Sequence, residues 1–358
     1  MKIAIILGTR PEIIKLSPVI KELKLKKADF FILHTGQHYS YHLDRVFFEQ
    51  LELPQPRYNL DIGSGSHAEE TGKMLIGIEK TLKMENPGVI LVEGDTNSVL
   101  AGALAAVKIN IAVGHVESGL RSYDRSMPEE INRVLVDHLS KYLFAPTPKA
   151  RDILLGEGIP EKKIFITGNT IVDAIHDNLE IARGKSHALN TLHLKPQEYF
   201  LLTLHRQENV DSQARFKSIL KGLEGLSAAF ETPVVYPIHP RSRKMMERFG
   251  LKSKRLILTE PADYLNFLQL ESNAKLVLTD SGGVQEEACI LHVPCVTLRD
   301  NTERPETIEA GANVLAGTSP ERILECSKAM LGKKSDWENP FGDGKAGKRI
   351  VDIVSASA

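Results

Sequence analysis

Cysteine is almost missing from this 358-residue chain. Cys289, Cys295 and Cys326 form an odd set with no Cys-x-x-Cys spacing, so neither a disulfide framework nor a zinc ribbon is indicated. Net charge is missing too. The 45 basic and 46 acidic residues leave a formal charge of -1, which gives no electrostatic footprint for nucleic acid. The basic clusters at 24–27 and 252–255 are short and read as solvated helix ends and loops. No apolar run approaches the roughly 20 residues of a membrane span. The apolar start, Met1 to Gly8, is too short for a signal peptide and runs into Thr9-Arg10-Pro11-Glu12 without a small-residue cleavage site. It reads as a buried parallel strand, and the chain is expected in the cytoplasm.

Nucleotide and metal fingerprints are equally scarce. No Gly-x4-Gly-Lys-Ser/Thr loop occurs, which argues against an ATPase. Gly63-Ser64-Gly65-Ser66-His67-Ala68 has the spacing of a dinucleotide loop but lacks a good preceding strand, and reads as a loop before a helix. His38 and His42 stand four apart without the glutamate of a zinc-peptidase helix. No metal and no redox cofactor is therefore expected.

What is present is a two-domain pattern. Hydrophobic content of 42% and charged content of 25% suit a soluble protein, and the length suits two domains rather than one. Short apolar runs at 3–7, 30–34, 89–92, 111–115, 142–145 and 164–167 alternate with amphipathic stretches such as 13–23, 98–107 and 130–139. That alternation predicts an α/β domain with a parallel sheet covered on both faces. The pattern restarts at 200–204, 234–238, 256–258, 276–279 and 295–298, which predicts a second sheet. The expected division is 1–168, 169–344 and a last helical segment, 345–358. Two doubly wound sheets favour a ligand in a cleft, at the carboxyl ends of their strands.

Several strand ends carry reactive residues. Gly8-Thr9-Arg10-Pro11-Glu12 follows the first strand; a helix start there attracts an anion, with Arg10 in the loop and Lys15 one turn in. Thr279-Asp280-Ser281-Gly282-Gly283 joins a strand to a helix. The two glycines let backbone N–H groups approach a phosphate, Ser281 adds a donor, and Glu287, one turn on, suits the hydroxyls of a ribose. Arg304 in Thr302-Glu303-Arg304-Pro305 suits the same phosphates. In the first half, Asp95 in Gly94-Asp95-Thr96 and Glu117 in His115-Val116-Glu117-Ser118-Gly119 are expected at one edge of the sheet, with Glu129 opening a helix nearby. Three acids beside an anion site would repel a diphosphate unless they serve acid–base chemistry. His205 ends the strand 200–204 and suits a phosphate or proton-transfer role.

These blocks, together with Gly114 to Arg121, Pro128-Glu129-Glu130-Ile131-Asn132-Arg133, Phe165 to Thr170, Thr279 to Glu287 and Arg299 to Glu306, resemble the non-hydrolysing UDP-N-acetylglucosamine 2-epimerase family in order and over nearly the whole chain. The resemblance implies two Rossmann-like doubly wound domains of glycosyltransferase-B type, a homodimer, and a C-terminal helix returning to the first domain. It implies interconversion of UDP-GlcNAc and UDP-ManNAc, with UDP as the group that leaves and returns and no cofactor. Carried over by motif, Asp95, Glu117, Glu129 and His205 are the implied catalytic residues. Arg10, Lys15, Arg133, Ser281, Gly282, Gly283, Glu287 and Arg304 are the implied substrate and UDP contacts. Bacterial members of the family carry a second, allosteric UDP-GlcNAc site, for which Gln37 and His239 stand here. Pro237-Ile238-His239-Pro240-Arg241 and His42-Leu43-Asp44-Arg45 depart from the bacterial pattern around it. The alternatives are a hydrolysing epimerase that releases ManNAc and UDP, a glycosyltransferase of the same fold, and a non-catalytic UDP-sugar sensor.

Overall fold

The computed structural model describes residues 1–36 and 41–356, with 41–44 described by backbone alone. The chain forms two compact units, Met1–Asp177 with Phe341–Ala358, and Asn178–Pro340. Each is built on one parallel sheet.

In the first unit, β1 (Ile3–Leu7), β2 (Phe30–His34), β3 (Tyr58–Asn59), β4 (Val89–Glu93), β5 (Ala112–Val116), β6 (Tyr142–Ala145) and β7 (Ile164–Ile166) lie in the order β3-β2-β1-β4-β5-β6-β7. All pairings are parallel. Every residue of β1 and β4 is buried, because helices cover both faces and leave no solvated side to alternate toward. The helix Asn97–Lys108 lies close to these strands at Gly102, where a Cβ would stand 3.2 Å from Val92 and 3.3 Å from Ile6. The chain winds one way from β1 to β2 and the other way from β4 to β5. The carboxyl ends of β1 and β4 are therefore the topological switch point, where the connecting loops part and leave a crevice.

The second unit repeats the plan with β8 (Phe200–Thr203), β9 (Val234–Pro237), β10 (Leu256–Thr259), β11 (Leu276–Thr279), β12 (Cys295–Thr297) and β13 (Asn313–Leu315), in the order β10-β9-β8-β11-β12-β13. Its switch point lies between β8 and β11. Phe200, Leu202, Tyr236, Leu278 and Val296 pack on one face, and Tyr199, Leu201, Val235 and Val277 on the other.

Two strands escape the sequence reading. β3, Tyr58–Asn59, and β13, Asn313–Leu315, are edge strands that each hold at most two consecutive apolar residues, too few to stand out as an apolar run. The units also divide later than 168/169, within the helix Thr170–Lys185. The first turns of that helix are held by the C-terminal segment. The Asn169 N–H donates to the Phe341 carbonyl at 2.8 Å, and the Asp173 carboxylate accepts from the N–H groups of Ala346 (3.2 Å) and Gly347 (2.9 Å). These bonds bring 169–177 and 341–344 into the first unit. The last helix, Ala346–Ala356, packs on the helix Arg10–Leu25; a Cβ at Gly347 would stand 2.8 Å from Pro18, and Lys26 pairs with Asp352. Among the described residues, no helix is long and apolar enough to cross a membrane.

Candidate active site

At the first switch point the loop after β1 is tied to the loop after β4 by one side chain. Glu12, in the first turn of the helix Arg10–Leu25, is 2% exposed. Its carboxylate accepts from the N–H groups of Gly8 (2.5 Å) and Thr9 (2.9 Å) and from the Thr96 hydroxyl. Burial pushes its carboxyl up to about 7, against the pull of these three donors. Gly8 is required for closeness rather than for a turn: a Cβ there would stand 2.0 Å from the Thr35 hydroxyl and 2.3 Å from that of Ser98. Thr9-x-x-Glu12 has the spacing of a capping box, and that signal points to Glu12 from sequence alone.

Beside it lies a cluster of acids and cations. β4 and β5 run in register, Glu93 opposite Val116, so Asp95 and Glu117 emerge at the same edge. Glu117 sits at φ 66°, a left-handed conformation that a non-glycine residue adopts at a cost. Lys15 pairs with Glu117 and stands 3.3 Å from Glu93, which is 2% exposed. One ammonium faces two carboxylates. Burial holds Glu93 well above the ordinary carboxylate range, with Lys15 opposing and Glu117 adding to the shift. The sequence reading gave Lys15 to the nucleotide; its partners here are the two glutamates. Arg133 pairs with Asp95 at 2.5 Å and with Glu130 at 3.0 Å. Glu130 accepts from the Ser122 and Tyr123 N–H groups (2.8 and 3.1 Å), so it shapes the loop ahead of its own helix, Pro128–Leu139. Glu129, one residue earlier, is exposed.

The Glu117 loop is anchored from behind by Asp137, which is 1% exposed. Its carboxylate faces His115 Nδ1 at 2.6 Å and Arg121 at 2.7 Å, and accepts from the Gly119 N–H at 3.2 Å. Burial would raise Asp137, but His115 and Arg121 hold it below the usual aspartate range. His115 Nε2 in turn faces the Gly94 carbonyl at 2.8 Å, so one imidazole spans the loops that carry Asp95 and Glu117. Gly119 has φ 83°, and a Cβ would stand 2.4 Å from the Ala150 carbonyl oxygen.

The second switch point is organised by Asp280, which follows β11 and is fully buried. It accepts from the N–H groups of His205 (3.1 Å) and Arg206 (2.9 Å) and from the Asn209 amide (3.2 Å), which pins the loop after β8 to the loop after β11. The His205 ring lies 3.4 Å from Asp280 and 5.7 Å, centroid to centroid, from the His239 ring. Burial lowers the His205 pKa, and Asp280 opposes the shift. His239 caps the helix Pro240–Arg248, its Nδ1 accepting from the Arg241 N–H at 3.2 Å. Gln37, its companion in the sequence reading, lies outside the described residues.

Ser281 is the N-cap of the helix Gly282–Ile290, so Gly282 and Gly283 are its first residues. Neither has a positive φ; they serve by absence of bulk, a Cβ meeting nothing closer than 3.6 Å at Gly282 and 4.0 Å at Gly283. Their N–H groups open the helix, where an anion is favoured. Arg304 packs beside this turn, its Nε 2.9 Å from Glu286. Arg299, to which the sequence reading gives no separate role, braces the 299–304 loop through Glu303 (2.7 and 3.0 Å) and Glu208 (3.1 Å). Among the described residues, no group of three His, Cys, Asp or Glu side chains is placed to hold a metal.

One sheet thus presents carboxylates and cations at its switch point. The other presents an N–H-rich helix start followed by an acid. Together with the parallel strand orders, this defines the chain as a pair of Rossmann-like domains of the glycosyltransferase-B-like class. Residues 21–355 match the family model for UDP-N-acetylglucosamine 2-epimerase, and the chain belongs to that family. It is 57% identical over 363 residues to the UDP-N-acetylglucosamine 2-epimerase of Methanocaldococcus jannaschii, covering 99% of both chains. The crystal structure of the M. jannaschii UDP-GlcNAc 2-epimerase in complex with UDP-GlcNAc and UDP superposes with a TM-score of 0.87 at 57% identity, covering 99% of this chain and 100% of that one. A more distant relative, 44% identical over 360 residues and 99% of both chains, is the UDP-2,3-diacetamido-2,3-dideoxy-D-glucuronate 2-epimerase of Pseudomonas aeruginosa.

Proposed function

We propose that this protein interconverts UDP-GlcNAc and UDP-ManNAc by eliminating UDP to 2-acetamidoglucal and adding it back. The C2 proton of the sugar is not next to a carbonyl, so no side chain removes it directly. The anomeric C–O bond must break first. As UDP departs, positive charge builds at C1 and the C2 proton becomes acidic. One carboxylate takes it, and a proton returns on the opposite face when UDP re-adds. No electron changes hands, so the reaction requires no redox cofactor.

The observation that carries this reading is the placement of Asp95 and Glu117 at the carboxyl ends of adjacent strands, each against a cation, Arg133 and Lys15. The proposal assigns proton transfer at the sugar to Asp95, Glu117 and Glu129, with Arg133 and Lys15 setting the charge of the first two. Arg10, the Ser281-Gly282-Gly283 turn and Arg304 take the diphosphate, Glu287 takes the ribose, and His205 stabilises the departing phosphate. The protein acts as a cytoplasmic homodimer in this reading, and the half-exposed Ile131 and Leu135 beside exposed Tyr123 supply apolar surface for an interface.

Product analysis tests the proposal. UDP-GlcNAc incubated with the protein is expected to reach a mixture with UDP-ManNAc, detected by NMR with the phosphate linkage intact. Free ManNAc with UDP would assign the hydrolysing reaction instead. UDP-2,3-diacetamido-2,3-dideoxy-D-glucuronate, offered in parallel, is expected to turn over more slowly; the reverse order would move the substrate assignment.

A further inference from the structure

One side chain joins the loop that carries Asp95 to the loop that carries Glu117. His115, on β5, is fully buried. Its Nδ1 stands 2.6 Å from the carboxylate of Asp137, on the helix Pro128–Leu139, and its Nε2 stands 2.8 Å from the Gly94 carbonyl oxygen. Gly94 also donates its own N–H to the Val116 carbonyl at 3.2 Å, one residue ahead of Glu117. Both polar groups of Gly94 are therefore engaged by β5 just where the chain passes on to Asp95. The helix that carries Asp137 holds the Asp95 backbone as well, the Asn132 amide donating to the Asp95 carbonyl at 2.8 Å.

Both ring nitrogens thus face oxygen atoms that can only accept. A carboxylate and a peptide carbonyl have no hydrogen to give, and a neutral imidazole has one N–H and one lone pair. In either neutral tautomer a ring lone pair would point at an oxygen lone pair at hydrogen-bond distance. A hydrogen on each nitrogen satisfies both contacts and makes His115 an imidazolium. Asp137 is a poor place for the extra proton, because that carboxylate also faces Arg121 at 2.7 Å and accepts from the Gly119 N–H at 3.2 Å. Against the push of burial, His115 and Arg121 hold the Asp137 carboxyl below the usual aspartate range. The charges close the same way. Arg121 also pairs with Glu157 at 2.7 Å, so an imidazolium sets two cations against two carboxylates, whereas a neutral ring leaves one anion in excess.

We propose that His115 is a positioning residue, held as an imidazolium whose two N–H groups clamp the loop after β4 to the loop after β5 and so fix the separation of Asp95 and Glu117. The proposal rests on the reading of those two as acids that handle the C2 proton. A neutral ring has one hydrogen to give and can hold only one end of the link; the second hydrogen makes the link two-ended. Groups that serve opposite faces of one sugar must stand a set distance apart, and a misplacement of about 1 Å can cost about 10²-fold in rate. His115 touches no reacting atom and acts through the two acids it spaces.

Nitrogen-15 NMR of the full chain, labelled at histidine, reads the protonation directly, and His115→Gln identifies the signals by removing them. The wild type is expected to show a bonded hydrogen on both ring nitrogens of His115 at neutral pH; a bare nitrogen overturns the proposal. Two substitutions then read the spacing. Asparagine places its amide nitrogen near the Nδ1 position of a histidine, and glutamine near the Nε2 position. His115→Asn therefore keeps a donor for Asp137 and gives up the Gly94 bond. It is expected to lower kcat about 10²-fold while UDP binds as it does to the wild type, and circular dichroism matching the wild type certifies the fold. His115→Gln, which keeps a donor for Gly94, is expected to turn over faster than His115→Asn. Wild-type kcat in His115→Asn, UDP affinity that falls in step with kcat, or a His115→Gln protein no faster than His115→Asn overturns the positioning role. Asp95→Asn and Glu117→Gln separate the two levels. If both turn over normally, the reading of the acids has failed. If they are inactive while His115→Asn is normal, only the role of His115 has.

Discussion

Glu117→Gln is expected to lower kcat by about 10²–10⁴-fold while UDP binds nearly as it does to the wild type. The amide keeps the size and hydrogen-bonding reach of the glutamate, so the left-handed turn at φ 66° is asked to hold a residue of the same shape. Lys15 loses one carboxylate but keeps Glu93, 3.3 Å away, and no buried cation is left alone. What disappears is the ability to carry a proton. Single-turnover rates and UDP titrations on the same preparation separate the two effects. Near-normal turnover removes Glu117 from the mechanism, and lost UDP affinity assigns it to binding instead.

Asp137→Ala is expected to cost about 3–5 kcal/mol of stability, because breaking a buried charge network strands its remaining members. Asp137 serves His115, Arg121 and the Gly119 N–H at once; its removal leaves His115 without an acceptor on Nδ1 and Arg121 with Glu157 alone among its ion partners on the described residues. Urea unfolding measures the loss. The pH dependence follows from the direction of the Asp137 shift. Its carboxyl is held below the ordinary aspartate value in the folded state, so its contribution is fully present above about pH 3.9 and is lost as the pH falls through the lowered folded value. The acid limb of the stability profile should therefore flatten in the variant. A change under about 1 kcal/mol would show that the network orients the loop without holding the fold. Because the same carboxylate positions the Glu117 loop, kcat should fall as well, although Asp137 touches no reacting atom.

Much of this arrangement is legible in the sequence because parallel strands buried on both faces write themselves as apolar runs. Ile3–Leu7 and Leu276–Thr279 coincide with the runs that mark them, and the loops after such strands hold the candidate site motifs. β3 and β13 leave no such trace because Tyr58–Asn59 and Asn313–Leu315 hold at most two apolar residues in a row, whereas the equally short edge strand β7, Ile164–Ile166, is apolar throughout. The unit boundary moves into the helix Thr170–Lys185 because Asp173 caps the start of the last helix, a contact between residues 173 and 347 that no local pattern carries. The buried supports are harder to read than the candidate site residues at the strand ends. Glu93, Asp137 and Asp280 sit in strand ends and a helix where an acid in the sequence looks like ordinary surface charge; only burial, which is a property of the fold, separates them. The glycines of Ser281-Gly282-Gly283 show the same limit. Their sequence predicts a strand-to-helix junction with close backbone approach; that both lie inside the first helical turn, with room in front, is visible only in the structure.

The central claim is that breaking the bond between sugar and UDP makes the neighbouring C2 proton removable by a carboxylate. The most direct measurement is proton NMR of the nucleotide sugars recovered after turnover in D₂O. The account predicts deuterium at C2 of every UDP-ManNAc molecule formed. UDP-ManNAc that keeps its original C2 hydrogen through turnover would contradict it.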